Sequence, residues 1–177
     1  MKVVKIKRML MTVFLILICY LLQCTVFPAL ALASIKPNLM IILTASFGFM
    51  RGSRTGMLVG FFSGLLIDIQ FGNILGFYAL IYMLIGYFNG LFQQMYFDED
   101  IKFPLILIGI SEFMYGLIIY FFMFMLRSEF NFPYYFMHII VPELIYTMLI
   151  TLGIYPLILF MNHKLEAEEK RSASKFV

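Results

Sequence analysis

The sequence predicts an all-α integral membrane protein, a single bundle of six transmembrane helices. Three observations carry this reading. Hydrophobic residues make up 63% of the 177-residue chain and charged ones only 13%, with a mean hydropathy of +0.95. A soluble domain is about half apolar and about a quarter charged, and a chain of this length has no core large enough to hide the excess. Fifteen of the charges fall into three short clusters, Lys2 to Arg8, Asp98 to Lys102 and Lys164 to Lys175. Between them run apolar stretches on the scale of the ~20 residues that cross a hydrocarbon core about 30 Å thick.

The first span is read over 9–33, behind Lys2, Lys5, Lys7 and Arg8. The basic start and Ala31-Leu32-Ala33 before Ser34 resemble a secretory signal with its cleavage site. The apolar part of such a signal is usually ~7–15 residues, whereas Met9 to Cys24 is already 16 and the run continues to Ile35. The segment is therefore expected to be a retained helix.

Two short runs follow, 37–50 and 55–68, on either side of Arg51-Gly52-Ser53-Arg54. Each rises only ~20 Å as a helix, so they form either a hairpin of two spans or one bent helix with two arginines at its middle. The bias of basic residues toward the cytoplasmic side arbitrates. Six spans with an inner N-terminus put Lys2, Lys5, Lys7, Arg8, Arg51, Arg54, Lys102, Lys164, Lys170, Arg171 and Lys175 inside, and only Lys36 and Arg127 outside. Five spans would balance the two sides and leave Arg51 and Arg54 in the hydrocarbon. The remaining spans are 74–94 after the Gly72-Asn73 turn signal, 103–126 and 137–162, followed by a short charged cytoplasmic tail, 163–177. Both termini are expected in the cytoplasm.

Glycines recur every fourth residue at 48, 52, 56, 60 and 64, with further pairs at Gly72/Gly76 and Gly86/Gly90. Small residues at this spacing line one helix face and let another backbone approach closely. Gly56, Gly60, Gly64, Gly76, Gly86 and Gly90 are thus the expected helix-packing or partner-interface residues, and spacing alone leaves open whether the neighbour is internal or another protein. Gly52 is assigned to the turn between the arginines.

Acids inside the hydrocarbon are costly and require a reason. Asp68 closes the third span, Glu112 lies near mid-depth of the fifth, and Glu143 follows Pro142 near the start of the last. Two readings stand: a proton or cation path, or groups that fix helix packing through hydrogen bonds to Tyr, Ser and Asn side chains. No GxSxG, HExxH, paired intramembrane aspartate or phosphate-binding loop is present, so no catalytic set, cofactor site or metal site is expected. Cys19 and Cys24 read as small buried hydrophobes and His138 as an interfacial polar residue. Tyr87, Tyr96, Tyr134 and Tyr135 stand near span ends, as in interface belts, and Pro28, Pro142 and Pro156 are expected to kink helices. A net charge of +3 spread over loops is no nucleic-acid footprint.

The stretch from Gly60 through Gly64, Asp68, Gly72 and Gly76 to Gly86-Tyr87 resembles the signature of the rod shape-determining protein MreD family: a "G-x-x-x-G-L-x-x-D" segment, then "G-x-x-x-G-x-x-A-x-x-Y". The family's "K/R-P-D/N-L" start to the second span reads here Lys36-Pro37-Asn38-Leu39, with Asn38 where an acid often stands. The family-motif residues are Pro37, Asn38, Gly60, Gly64, Asp68 and Gly76, and the likeness extends over essentially the whole chain. It implies a non-enzymatic component of the bacterial rod (elongation) complex in the cell membrane. Such a protein binds the transmembrane helix of MreC and helps couple MreB filaments to the wall synthases, a SEDS-type glycosyltransferase and a class B penicillin-binding protein. It also implies a fold like the substrate-binding S components of energy-coupling factor vitamin transporters. The alternative function is therefore vitamin capture at the outer side, near Asp68, Asn73, Arg127, Glu129 and Asn131, with Ala29 and Ala33 as a small-residue contact to a transporter subunit. A proton-coupled channel would rest on the acids alone.

Overall fold

A computed structural model describes residues 2–29, 35–71, 74–95, 101–123 and 131–174. Among these residues the chain is almost entirely helical: α1 (Lys2–Leu21), α2 (Phe27–Ala29), α3 (Leu39–Arg51), α4 (Ser53–Phe71), α5 (Phe77–Leu91), α6 (Lys102–Met123), α7 (Phe132–Tyr135) and α8 (Val141–Ser174). Wide π turns join α1 to α2 (Leu22–Val26) and α7 to α8 (Phe136–Ile140).

Both π turns have the same local cause. A proline lacks the N–H that continues the i→i−4 ladder, and its ring crowds the carbonyl four residues back. Pro28 and Pro142 each stand two residues after a π turn. In each case the N–H just before the proline, on Phe27 or Val141, reaches back five residues, to the carbonyl of Leu22 or Phe136. The widened turn makes room for the ring while the helix continues. Pro156, by contrast, lies inside the continuous α-helical run of α8.

The two short runs form a hairpin. α3 ends at Gly52, whose φ of 86° is open to glycine and costly for other residues, and whose N–H bonds the Gly48 carbonyl at 2.8 Å. α4 then folds back along α3, bringing Gly56 against the Cα of Gly48. All residues from Leu39 to Met50 are buried, because α1, α4, α5, α6 and α8 all pack around α3. That position explains how a 13-residue apolar helix is stable: it is sheathed by protein and need not match the bilayer thickness by itself.

The main core runs from Leu15, Ile16 and Cys19 of α1 through α3 to Ile158 of α8, and a smaller cluster joins Tyr120, Tyr135 and Ile140. The outer faces are apolar too. Phe14 and Leu17 of α1, Leu58 and Phe62 of α4, Phe88 of α5, Ile110 of α6, and Leu149 and Phe160 of α8 are all exposed. Apolar surface on every flank is the pattern of a protein solvated by lipid. Three helical stretches, Ile6–Ala29, Lys102–Phe122 and Phe132–Ala167, are long and apolar enough to cross a membrane. At ~1.5 Å per residue α8 is about 50 Å long, far more than the hydrocarbon core requires. It continues beyond the expected span end at 162 to Ser174, since Leu165-Glu-Ala-Glu-Glu-Lys-Arg171 consists of strong helix formers.

Candidate functional site

The glycine ladder closes on another part of the same chain. Gly56 lies against the backbone of Gly86, Gly60 against Tyr82, and Gly64 against Tyr78 and Ala79, which sets α4 and α5 antiparallel. Gly90 meets Gly52 and Ser53, and Gly48 of α3 meets the Gly86 carbonyl. A Cβ added at Gly48, Gly56, Gly60, Gly64, Gly86 or Gly90 would come under 3.0 Å from backbone atoms. Backbone cannot retreat as a side-chain tip can, so the three helices approach more closely than any other residue permits. Of the two occupants that spacing left open for these faces, the inner one is present. Gly76 is a correction: expected as a packing residue, it has no atom within 4 Å of its would-be Cβ and a φ of 99°. Its role is the left-handed N-cap that starts α5.

Asp68 ends up at the same helix start. Its Oδ2 accepts the N–H groups of Gly76 (3.0 Å) and Ala79 (2.9 Å), and Oδ1 accepts that of Tyr78 (2.9 Å). The first N–H groups of a helix have no partner within it and carry the positive end of its dipole. A carboxylate from α4 therefore caps α5, and with both oxygens engaged a side chain only 2% exposed is satisfied. This geometry gives Asp68 a helix-capping role.

Asn38 ties three helices together. Its Oδ1 accepts the Ile41 N–H at 3.3 Å, capping α3, and the Tyr82 hydroxyl at 2.8 Å; its own N–H donates to Thr147 Oγ1 of α8 at 3.0 Å. Beside this node is a cavity of about 230 Å³ lined by Gln23, Lys36, Pro37, Asn38, Ile67, Tyr78, Tyr82, Tyr115 and Glu143. Gln23, in the first π turn, accepts the Met40 N–H at 3.1 Å. Glu112 is 3% exposed and faces the Thr147 side chain of α8. It interacts electrostatically with Glu143 and with Tyr82 and Tyr115. The fold thus brings Glu112 and Glu143 together and places Asp68 in a different set of contacts.

Elsewhere, Arg51 Nε donates to Asn162 Oδ1 at 2.6 Å and Asn162 Nδ2 to Glu166 Oε1 at 2.9 Å, joining the α3–α4 turn to α8. Asn89 of α5 donates to Ser111 Oγ of α6 at 2.7 Å. Cys19 and Cys24 are free thiols, the first buried. His138 is exposed and stacks on Tyr134 with ring centroids 4.2 Å apart. No group of three or more His, Cys, Asp or Glu side chains that could hold a metal occurs among the described residues. Asn73, Arg127 and Glu129 of the alternative vitamin site lie outside the described residues, as do Gly72, Ala33 and Tyr96.

Residues 4–164 match the family model described as rod shape-determining protein MreD. The chain belongs to the MreD family. A search of curated proteins and one of solved structures returned no match. Membership gives the protein a role in rod shape determination, and its apolar helices make it a membrane protein. The MreD-like motif also acquires a physical meaning here, because its residues converge on one helix. Gly60 and Gly64 admit the α5 backbone, Asp68 caps it, Gly76 starts it, and Asn38 holds its Tyr82. Tyr82, the closing Tyr of that motif, and Thr147 and Asn162, which spacing did not single out, are the buried polar partners that complete these links.

Proposed function

We propose that this protein is a non-enzymatic scaffold of the rod complex, which binds the transmembrane helix of MreC and so helps couple MreB filaments to the SEDS glycosyltransferase and class B penicillin-binding protein that build the wall. The family match over residues 4–164 carries this reading. The rigid α3–α4–α5 unit supports it, since a backbone-packed core can present its outer faces at fixed positions. With the glycine faces occupied internally, the partner is assigned to the exposed apolar flanks, such as that of Phe14 and Leu17 on α1.

In this reading α1 with its α2 extension, α3, α4, α5, α6 and α8 are the six spans, and both termini lie in the cytoplasm with the basic clusters. Depletion in a rod-shaped bacterial host tests the role. The expected result is rounding and swelling, rescued by the wild-type chain; cells that stay rod-shaped after complete depletion would refute it.

A further inference from the structure

The cavity beside Asn38 has chemistry that helix packing leaves unused. Tyr82 and Tyr115 meet edge to face with centroids 5.7 Å apart, and Tyr78 lies 6.4 Å from Tyr115, so aromatic rings form much of its wall. Glu143 stands in the lining, and Glu112, buried outside that lining, interacts with it electrostatically. Buried carboxyls in a membrane protein call for a proton or a counter-cation. The basic residue in the lining, Lys36, is exposed and so stands at the mouth. About 230 Å³ corresponds to roughly eight waters at ~30 Å³ each, room for a headgroup-sized molecule. One lining carboxyl is also too few for a calcium-like ion, which takes about six to eight oxygens.

We propose that this cavity binds a small zwitterion, its ammonium group held by Glu143 and the faces of Tyr78, Tyr82 and Tyr115, and its anionic group by Lys36. Carboxylate and ring face both attract an ammonium, and the two act together in a desolvated site. A phosphoethanolamine lipid headgroup and a free amino compound present the same chemistry. The inference is independent of the rod-complex reading, because it concerns a ligand and not a protein partner.

The test uses the full chain in phosphatidylglycerol nanodiscs, with phosphoethanolamine as probe and N-acetylphosphoethanolamine as the probe lacking the ammonium. The chain has no Trp, so tyrosine fluorescence, to which the three lining tyrosines contribute, is read free of tryptophan emission. In parallel, native mass spectrometry of protein released from mixed phosphatidylethanolamine and phosphatidylglycerol nanodiscs reads lipid retention. A saturable response to phosphoethanolamine alone identifies a soluble ligand, and selective retention of phosphatidylethanolamine identifies the lipid. Either should weaken roughly tenfold or more in Glu143→Gln. Tyr115→Leu, which removes a ring face but no charge, provides a second variant should the first fail to fold. Equal responses to both probes, no response together with no lipid preference, or binding unchanged in the variants would overturn the proposal.

Discussion

Gly56 and Gly86 meet backbone to backbone, with the carbonyl of each lying where the other's Cβ would stand. The pair anchors a seam that continues through Gly60 and Gly64 toward the start of α5, so the most closely approached helices in the bundle are those that carry the MreD-like motif. Gly60→Leu should force the helices apart. Overpacking typically costs about 1–3 kcal/mol, and the nearest atoms here are main-chain atoms of Tyr82 and Met83 that can yield only by moving the whole helix. Thermal unfolding in detergent should show a clear loss of stability, with cell-shape complementation failing in parallel. A fully stable variant would mean that the seam is looser than described.

Asp68→Asn should also destabilise. An amide retains one acceptor oxygen and presents an NH2 where the second acceptor was, so at least one of the three N–H groups loses its partner. Hydrogen bonds to charged groups contribute about 1.5–3 kcal/mol. Hydrogen exchange at Gly76, Tyr78 and Ala79 should accelerate selectively, whereas unchanged protection there would exclude the cap.

Tyr82→Phe removes the hydroxyl that donates to Asn38 and leaves the ring in place. The expected cost is about 0.5–1.5 kcal/mol. In a double-mutant cycle, Asn38→Ala in the Tyr82→Phe background should cost less than in wild type, because the shared bond is already gone. Strict additivity would show that the bond contributes nothing.

Arg51→Met should loosen the inner end of α8. The guanidinium holds Asn162, which in turn bonds Glu166. Trypsin cleavage within 164–171 should become faster by several-fold as the end of the helix frays, and an unchanged cleavage rate would contradict that coupling.

Much of the α3–α4–α5 unit was legible in the sequence because its determinants are local. Four-residue spacing displayed the glycine seam, and Gly52 between two arginines displayed the hairpin turn. The exception is Gly76, whose spacing matched a packing residue while its backbone conformation made it a cap. The partners of Asp68 lie eight to eleven residues downstream across a turn, where no helical periodicity connects them. Glu112 and Glu143 carry no nearby charge on their own helices, and only the packing of α6 against α8 makes them neighbours. The central position of α3 was likewise hidden, since a uniformly apolar run looks the same whether lipid or protein surrounds it.

The scaffold reading is tested most directly by affinity purification of the tagged chain, in mild detergent, from a rod-shaped host. Recovery of MreC in stoichiometric amount, with the SEDS glycosyltransferase and class B penicillin-binding protein, is the predicted result. Recovery without MreC, or with an ATPase pair and a bound vitamin in its place, would contradict it.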